Sequence, residues 1–214
     1  WELFVGTFPP LTNNKWLEYF DLYKTIPEFK EQNFNMTLNE FKIIFWWEWA
    51  HRQLGRLIGL TVLLPLIYFT IKNGFWILRE YSIIFFLVCF QGFIGWFMVS
   101  SGLVDRVDVS HYRLSIHLLM AFLILSLIFW NFLKLQNIEK SNKTNLNTNL
   151  AYFLVFLVFL QIVIGAFVSG MDAGQIYNSW PLMGNNYFPD DNELSTLFKL
   201  NAFDDPSLVQ FIHR

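Results

Sequence analysis

The sequence predicts an all-α, polytopic transmembrane helical bundle, on three observations. Of 214 residues, 54% are hydrophobic and 20% aromatic, while only 15% are charged; soluble domains carry roughly 25% charged residues. The apolar residues fall in four long blocks, 41–69, 81–99, 114–133 and 150–168, and a helix needs roughly 20 such residues to cross a bilayer. The segments between the blocks alternate in basic content. In lipid the backbone must satisfy its own hydrogen bonds, so each block is predicted to be a helix.

Segment 1–40 holds six acids and three lysines, with Pro9-Pro10 and many aromatics, and is expected to fold over the outer membrane surface. Block one follows and contains Pro65, which removes one helical hydrogen bond and can kink the span. Turn 70–80 carries Lys72 and Arg79 against Glu80, and loop 134–149 carries three lysines against Glu139. Basic loops stay on the inner side, so these two face inward. Segment 1–40, loop 100–113 and loop 169–206 (six acids, one lysine) then face outward. The linker 134–149 is rich in Asn, Lys and Thr and reads as flexible. A further helix is expected to start near Ser207. The chain begins at Trp1 and ends at Arg214 inside that helix, and is expected to be an internal fragment.

Some function classes drop out. A net charge of -2 gives no basis for nucleic-acid binding. Cys89 is the only cysteine, so no intrachain disulfide can form; in an apolar run it reads as a small core hydrophobe.

An internal likeness runs through the chain. Glu48-Trp49-Ala50-His51-Arg52 recurs in outline as Gln210-Phe211-Ile212-His213-Arg214, each after a long acidic outer segment. Gln91-Gly92-Phe93-Ile94-Gly95 likewise resembles Gln161-Ile162-Val163-Ile164-Gly165. Two related helical bundles are expected, the second incomplete.

The chemistry sits in the ionisable residues of the spans, which are costly in lipid and are usually functional. Glu48 and His51 are three apart and share a helix face, continued by Gly55 and Gly59. Bare glycines let a flat macrocycle or another helix approach. His51 is predicted about ten residues into its span from outside, His117 a few residues into block three, and His213 about seven into the last helix. Histidines at matching depth on separate helices are what bis-imidazole heme ligation requires. Arg52, Arg56 and Arg113 suit heme propionates through bidentate guanidinium pairing. Glu48, poorly solvated beside a heme edge, is placed to hold and move a proton. Blander readings stand beside these. A lone membrane histidine is often a packing residue, and Arg52 and Arg56 can snorkel to the surface. His111, six residues before His117, points to another face and reads as interfacial. Asp105, Arg106 and Asp108 read as a solvated loop, and Gly92, Gly95, Gly165 and Gly170 as marks of close helix packing.

The residues also resemble a known family. Pro9-Pro10-Leu11, the run from Phe45 to Arg56, the run from Gln91 to Leu103, the run from Val109 to His117, Gly170-Met171-Asp172-Ala173-Gly174 and Asn178 to Met183 together resemble heme A synthases of the proteobacterial and mitochondrial type. The resemblance implies eight helices in two pseudo-symmetric four-helix bundles, of which helices two to five and the start of six are present. It implies an outer loop 1–40, the rest of the first, substrate-heme bundle over 41–133, an inner linker 134–149, and the start of the heme b bundle over 150–214. It implies oxidation of a methyl group of heme O to a formyl group for terminal oxidase assembly. Glu48 would be the catalytic carboxylate, His51 and His117 axial to the substrate heme, and His213 axial to the cofactor heme b, whose second ligand lies beyond this chain. The fragment alone is then expected to be inactive.

The implied partners are heme O, membrane lipid, a heme O synthase and an electron donor, with a homo-oligomer compatible, in a bacterial or mitochondrial inner membrane. Some bacterial members carry a cysteine pair that this chain lacks. Two other classes remain open at this level: a diheme b-type electron-transfer subunit that oxidises quinol, and a membrane transporter or scaffold with structural histidines.

Overall fold

The computed structural model describes residues 8–74, 79–102, 107–136 and 147–214, with Glu80, Ser101 and Gly102 described in backbone only. The readings given to Trp1, Asp105, Arg106, the middle of turn 70–80 and the middle of linker 134–149 lie outside the described residues. Asp108 is exposed, as a solvated loop residue should be.

Each apolar block is a helix, and each helix is longer than its apolar run. In order, α1 spans Asn13–Tyr23, α2 Pro27–Glu31, α3 Leu38–Asn73, α4 Arg79–Gly102, α5 His111–Leu135, α6 Thr148–Gly170 and α7 Pro206–His213. Four of them, α3 to α6, are long and apolar enough to cross a membrane. Their side chains are mostly exposed in the chain itself, Leu57, Leu64, Phe86, Leu125 and Phe156 among them. Large apolar residues in that number are stable only against lipid or other helices. The chain is an integral, multi-pass membrane protein. No strand occurs among the described residues; one antiparallel bridge joins Met183 and Asn186.

Two compact units, Trp1–Val109 and Ser110–Arg214, divide the chain. The division falls one helix earlier than linker 134–149, because α5 packs along α6.

In the first unit α3 has 36 residues, about 54 Å at 1.5 Å per residue, well beyond a hydrocarbon core of about 30 Å. It runs three residues before and four beyond its apolar block. Thr37 and Glu40 form a reciprocal capping box, with Thr37 N–H donating to Glu40 Oε2 at 2.7 Å. The following turns pack into an aromatic collar of Trp16, Phe20 and Tyr23 from α1 against Phe41 and Phe45. Trp16 meets Phe45 edge-on at 4.9 Å between centroids, and Trp49 lies at the rim. The described part of segment 1–40 packs on the start of α3 through this collar. Helix α3 runs without interruption through Pro65.

In the second unit α7 is held against α6 by Val209, Ile164 and Phe167. The loop between them is structured. It contains three short 3₁₀ turns, Ala173–Gln175, Leu194–Phe198 and Leu200–Asp204, and it is anchored by buried Met183, Ala173 and Ala202. Asp205 caps α7 by accepting from Leu208 N–H at 2.9 Å.

Candidate functional site

Helix α3 displays the first group of residues. Glu48 and Arg52, four apart, form an ion pair with 3.4 Å between Oε1 and Nη1. Arg56 is half-buried one turn further on. His51 is exposed and, among the described residues, its ring makes no hydrogen bond, so its nitrogens are uncommitted. A Cβ placed on Gly55 or Gly59 would meet nothing within 4 Å. The helix thus offers an imidazole above a bare stripe, with a carboxylate one turn before it. That arrangement fits a flat iron macrocycle: a neutral imidazole donor, room beside it, and guanidinium groups nearby for carboxylates.

His51 follows Phe45, the last buried collar residue, by six positions. His117 is half-buried in the second turn of α5, six residues after that helix begins at His111; Arg113 is half-buried one turn before it.

The third histidine has the best-defined surroundings. His213 lies seven residues into α7. Its ring rests on α6 at Gly165, where an added Cβ would come within 3.1 Å of His213 Cε1. Gln161, one turn before Gly165, donates from its amide nitrogen to the His213 carbonyl at 2.7 Å and lies 3.0 Å from ring Nδ1. Among the described residues no hydrogen bond is made at Nε2. This donor set suits a heme iron approached by Nε2, with the other ring nitrogen held from behind. The neighbours hold the end of α7 in place. Buried Gln210 accepts from Tyr177 N–H at 3.2 Å and donates to Tyr177 O at 2.9 Å, while Arg214 donates to Tyr177 O at 2.6 Å and Ser179 O at 3.0 Å.

Gln161 had been noticed only as part of a sequence likeness. Its contact with His213 spans 52 residues, and no local pattern announces it. The two likenesses also run in opposite chain order, since His51 precedes Gln91 whereas Gln161 precedes His213. One tandem duplication cannot hold both, and the Gln–Gly pattern is a separate local resemblance.

His111, the first residue of α5, packs against the loop before α7. It is half-buried, edge-on to Phe167 with centroids 5.2 Å apart, and its Nε2 stands 3.5 Å from Asp204 Oδ1. Tyr112 donates to the same carboxylate at 2.9 Å. The pair ties the start of α5 to the loop before α7. Gly170 makes this possible: a Cβ there would meet the His111 Cα at 3.0 Å. Gly165 and Gly170 are thus close-approach positions, as small residues at helix contacts are expected to be.

Four helices of this length and composition define a polytopic membrane protein. Comparison with known proteins gives the family. The family described as cytochrome oxidase assembly protein (COX15-CtaA) matches residues 1–214, and the chain belongs to it. It is similar to the heme A synthase of Pelagibacter ubique (strain HTCC1062), with 52% identity over 216 residues, all of this chain and 64% of the relative. The heme A synthases of Parvibaculum lavamentivorans and Flavobacterium psychrophilum are each 44% identical over all of this chain, covering 63% and 65% of their lengths. The chain therefore spans about two thirds, or slightly less, of the curated relatives it matches. No solved structure matches it.

Proposed function

We propose that this protein acts as a heme A synthase, a membrane oxidoreductase that converts a methyl group of heme O into the formyl group of heme A for terminal oxidase assembly. The observation that carries this reading is the in-register likeness of the whole chain to heme A synthases, at 52% identity for the Pelagibacter protein. The residues on α3 are consistent with it: an uncommitted histidine, a bare glycine stripe and a paired carboxylate on one helix.

In this reading His51 and His117 are the axial ligands of the substrate heme, and Arg52, Arg56 and Arg113 bind its propionates. Glu48 is the carboxylate beside the reacting methyl carbon. Two successive hydroxylations of that carbon, each consuming a two-electron oxidant and one oxygen atom from dioxygen or water, followed by loss of one water, would leave the aldehyde. Glu48 accepts and returns protons there, and Arg52, 3.4 Å away, holds its carboxylate in place. His213 would hold heme b, which would supply one-electron transfer between an outside partner and the substrate site. The proposed setting is a bacterial or mitochondrial inner membrane, with a heme O synthase upstream and a homo-oligomer compatible.

The deciding experiment is expression of the complete gene with a heme O supply, followed by pigment extraction and mass analysis. A product bearing a formyl group is expected. Unmodified heme b alone would point to an electron-transfer subunit, and absence of any Soret absorbance would end both heme readings.

A further inference from the structure

Two features of the second unit converge on one ring. Gly165 leaves room for the His213 imidazole, and Gln161 reaches it from α6 with both hydrogens of one amide group. The amide nitrogen lies 2.7 Å from the His213 carbonyl oxygen and 3.0 Å from Nδ1. One side chain therefore holds both the backbone at His213 and the rotation of its ring. The remaining nitrogen, Nε2, makes no hydrogen bond among the described residues.

We propose that Gln161 is the positioning residue for His213 and the group that tunes its heme, an inference that rests on His213 being an iron ligand. An imidazole that binds iron through Nε2 carries its proton on Nδ1. The group facing Nδ1 must then accept a hydrogen bond rather than donate one. A carboxamide can do this, because half a turn about its last bond exchanges nitrogen for oxygen at the same place, giving up the hydrogen bond to the His213 carbonyl. With the oxygen presented, Nδ1–H···O bonding makes the imidazole a stronger donor and favours ferric iron. With heme absent, the nitrogen presented to Nδ1 and the carbonyl keeps the ring parked in the same rotation. A serine or alanine at 161 would reach neither group.

The same chemistry predicts shifts of opposite sign in two variants of the complete protein, purified with its hemes. Gln161→Leu removes the partner of Nδ1, so the heme b midpoint potential rises, its low-spin ferric EPR g values move, and heme affinity falls about 10- to 100-fold. Gln161→Glu keeps an acceptor at the same reach and moves the potential downward. His213→Ala is the control and is expected to abolish the low-spin heme b signal. If His213→Ala leaves that signal intact, His213 is no ligand and the proposal falls with that assignment. If His213→Ala abolishes it while both Gln161 variants match the wild type in potential and g values, His213 stands and Gln161 is merely structural. Should Gln161→Leu fail to accumulate, the downward shift in Gln161→Glu decides alone, and its absence overturns the proposal.

Discussion

The imidazole of His213 lies against Gly165, so closely that a single methyl group on that glycine would stand 3.1 Å from ring carbon Cε1. Contact at that distance is tighter than ordinary van der Waals packing, and protein interiors yield only by small amounts. Gly165→Ala is expected to displace the ring by a few tenths of an ångström and lower heme b occupancy partially; Gly165→Leu is expected to abolish it. Heme-to-protein ratios of the purified full-length variants check both. Equal occupancy in wild type and the Leu variant would show that the ring does not hold heme where it now rests.

Glu48 is paired with Arg52 one turn along α3, which positions the carboxylate without filling the bare stripe at Gly55 and Gly59. Glu48→Gln keeps size and hydrogen bonding but cannot take up a proton. Heme binding is expected to persist while heme A formation drops at least about 100-fold, the usual scale for loss of a general acid or base. Extracted pigment from cells supplied with heme O gives the answer, and a normal yield of the formyl product would remove Glu48 from the chemistry.

The aromatic collar makes a stability prediction. Phe45 is fully buried between Trp16 and Tyr19. Phe45→Ala should cost about 3–5 kcal/mol locally through lost contacts and a cavity. Its effect should concentrate on α1 and the first turns of α3, where the collar residues lie. Hydrogen exchange in detergent or nanodiscs is the measurement: faster exchange over residues 13–45 with little change in α6 is expected, and uniform acceleration across all helices would contradict it.

Acid should loosen the loop before α7. Burial works against charge on Asp191, but hydrogen bonds from Ser207 at 2.6 Å, Tyr177 at 3.0 Å and Asn192 outweigh it and hold its carboxyl below the ordinary range. A depressed folded pKa contributes stability that is present above the unfolded value of about 3.9 and lost as pH falls through the folded value. Protease nicking within 171–205 is expected to stay slow from pH 7 to about 5 and to speed up below about 4. Asp191→Asn should nick readily at neutral pH and respond less to acid; a variant indistinguishable from wild type at pH 7 would refute the assignment.

Alkali acts on the collar. Tyr23 is pushed up to about 12 by burial, with Asn33 working to lower it and Glu28 to raise it. A raised folded pKa gives stability that is complete below about 10, the unfolded value, and is lost as pH rises through the folded one. Phenolate absorbance titration should show one late-ionising step fewer in Tyr23→Phe than in the wild type. Loss of no late-titrating step in that variant would count against the collar.

Much was legible in the linear chain. The four spans were readable because transfer of backbone into lipid depends on local composition over about 20 residues, which is why blocks 41–69 and 150–168 lie inside α3 and α6. Their outer ends were less legible. Helix α3 starts three residues before its apolar run because Thr37 and Glu40 cap it within the collar. Glu48, His51 and Arg52 stood out for a similar local reason: charge and imidazole are costly in a span and draw notice wherever they occur.

What the tertiary structure alone decided are the pairings between distant residues. Gln161 with His213, and Asp204 with His111 and Tyr112, bring together groups separated by 52, 93 and 92 positions. Such contacts depend on where α5, α6 and α7 lie against one another and on how closely glycine lets them approach. No periodicity in the chain records that distance. Composition therefore determined which segments enter the membrane and which side chains are expensive there, whereas only packing determined what holds each imidazole and from which side.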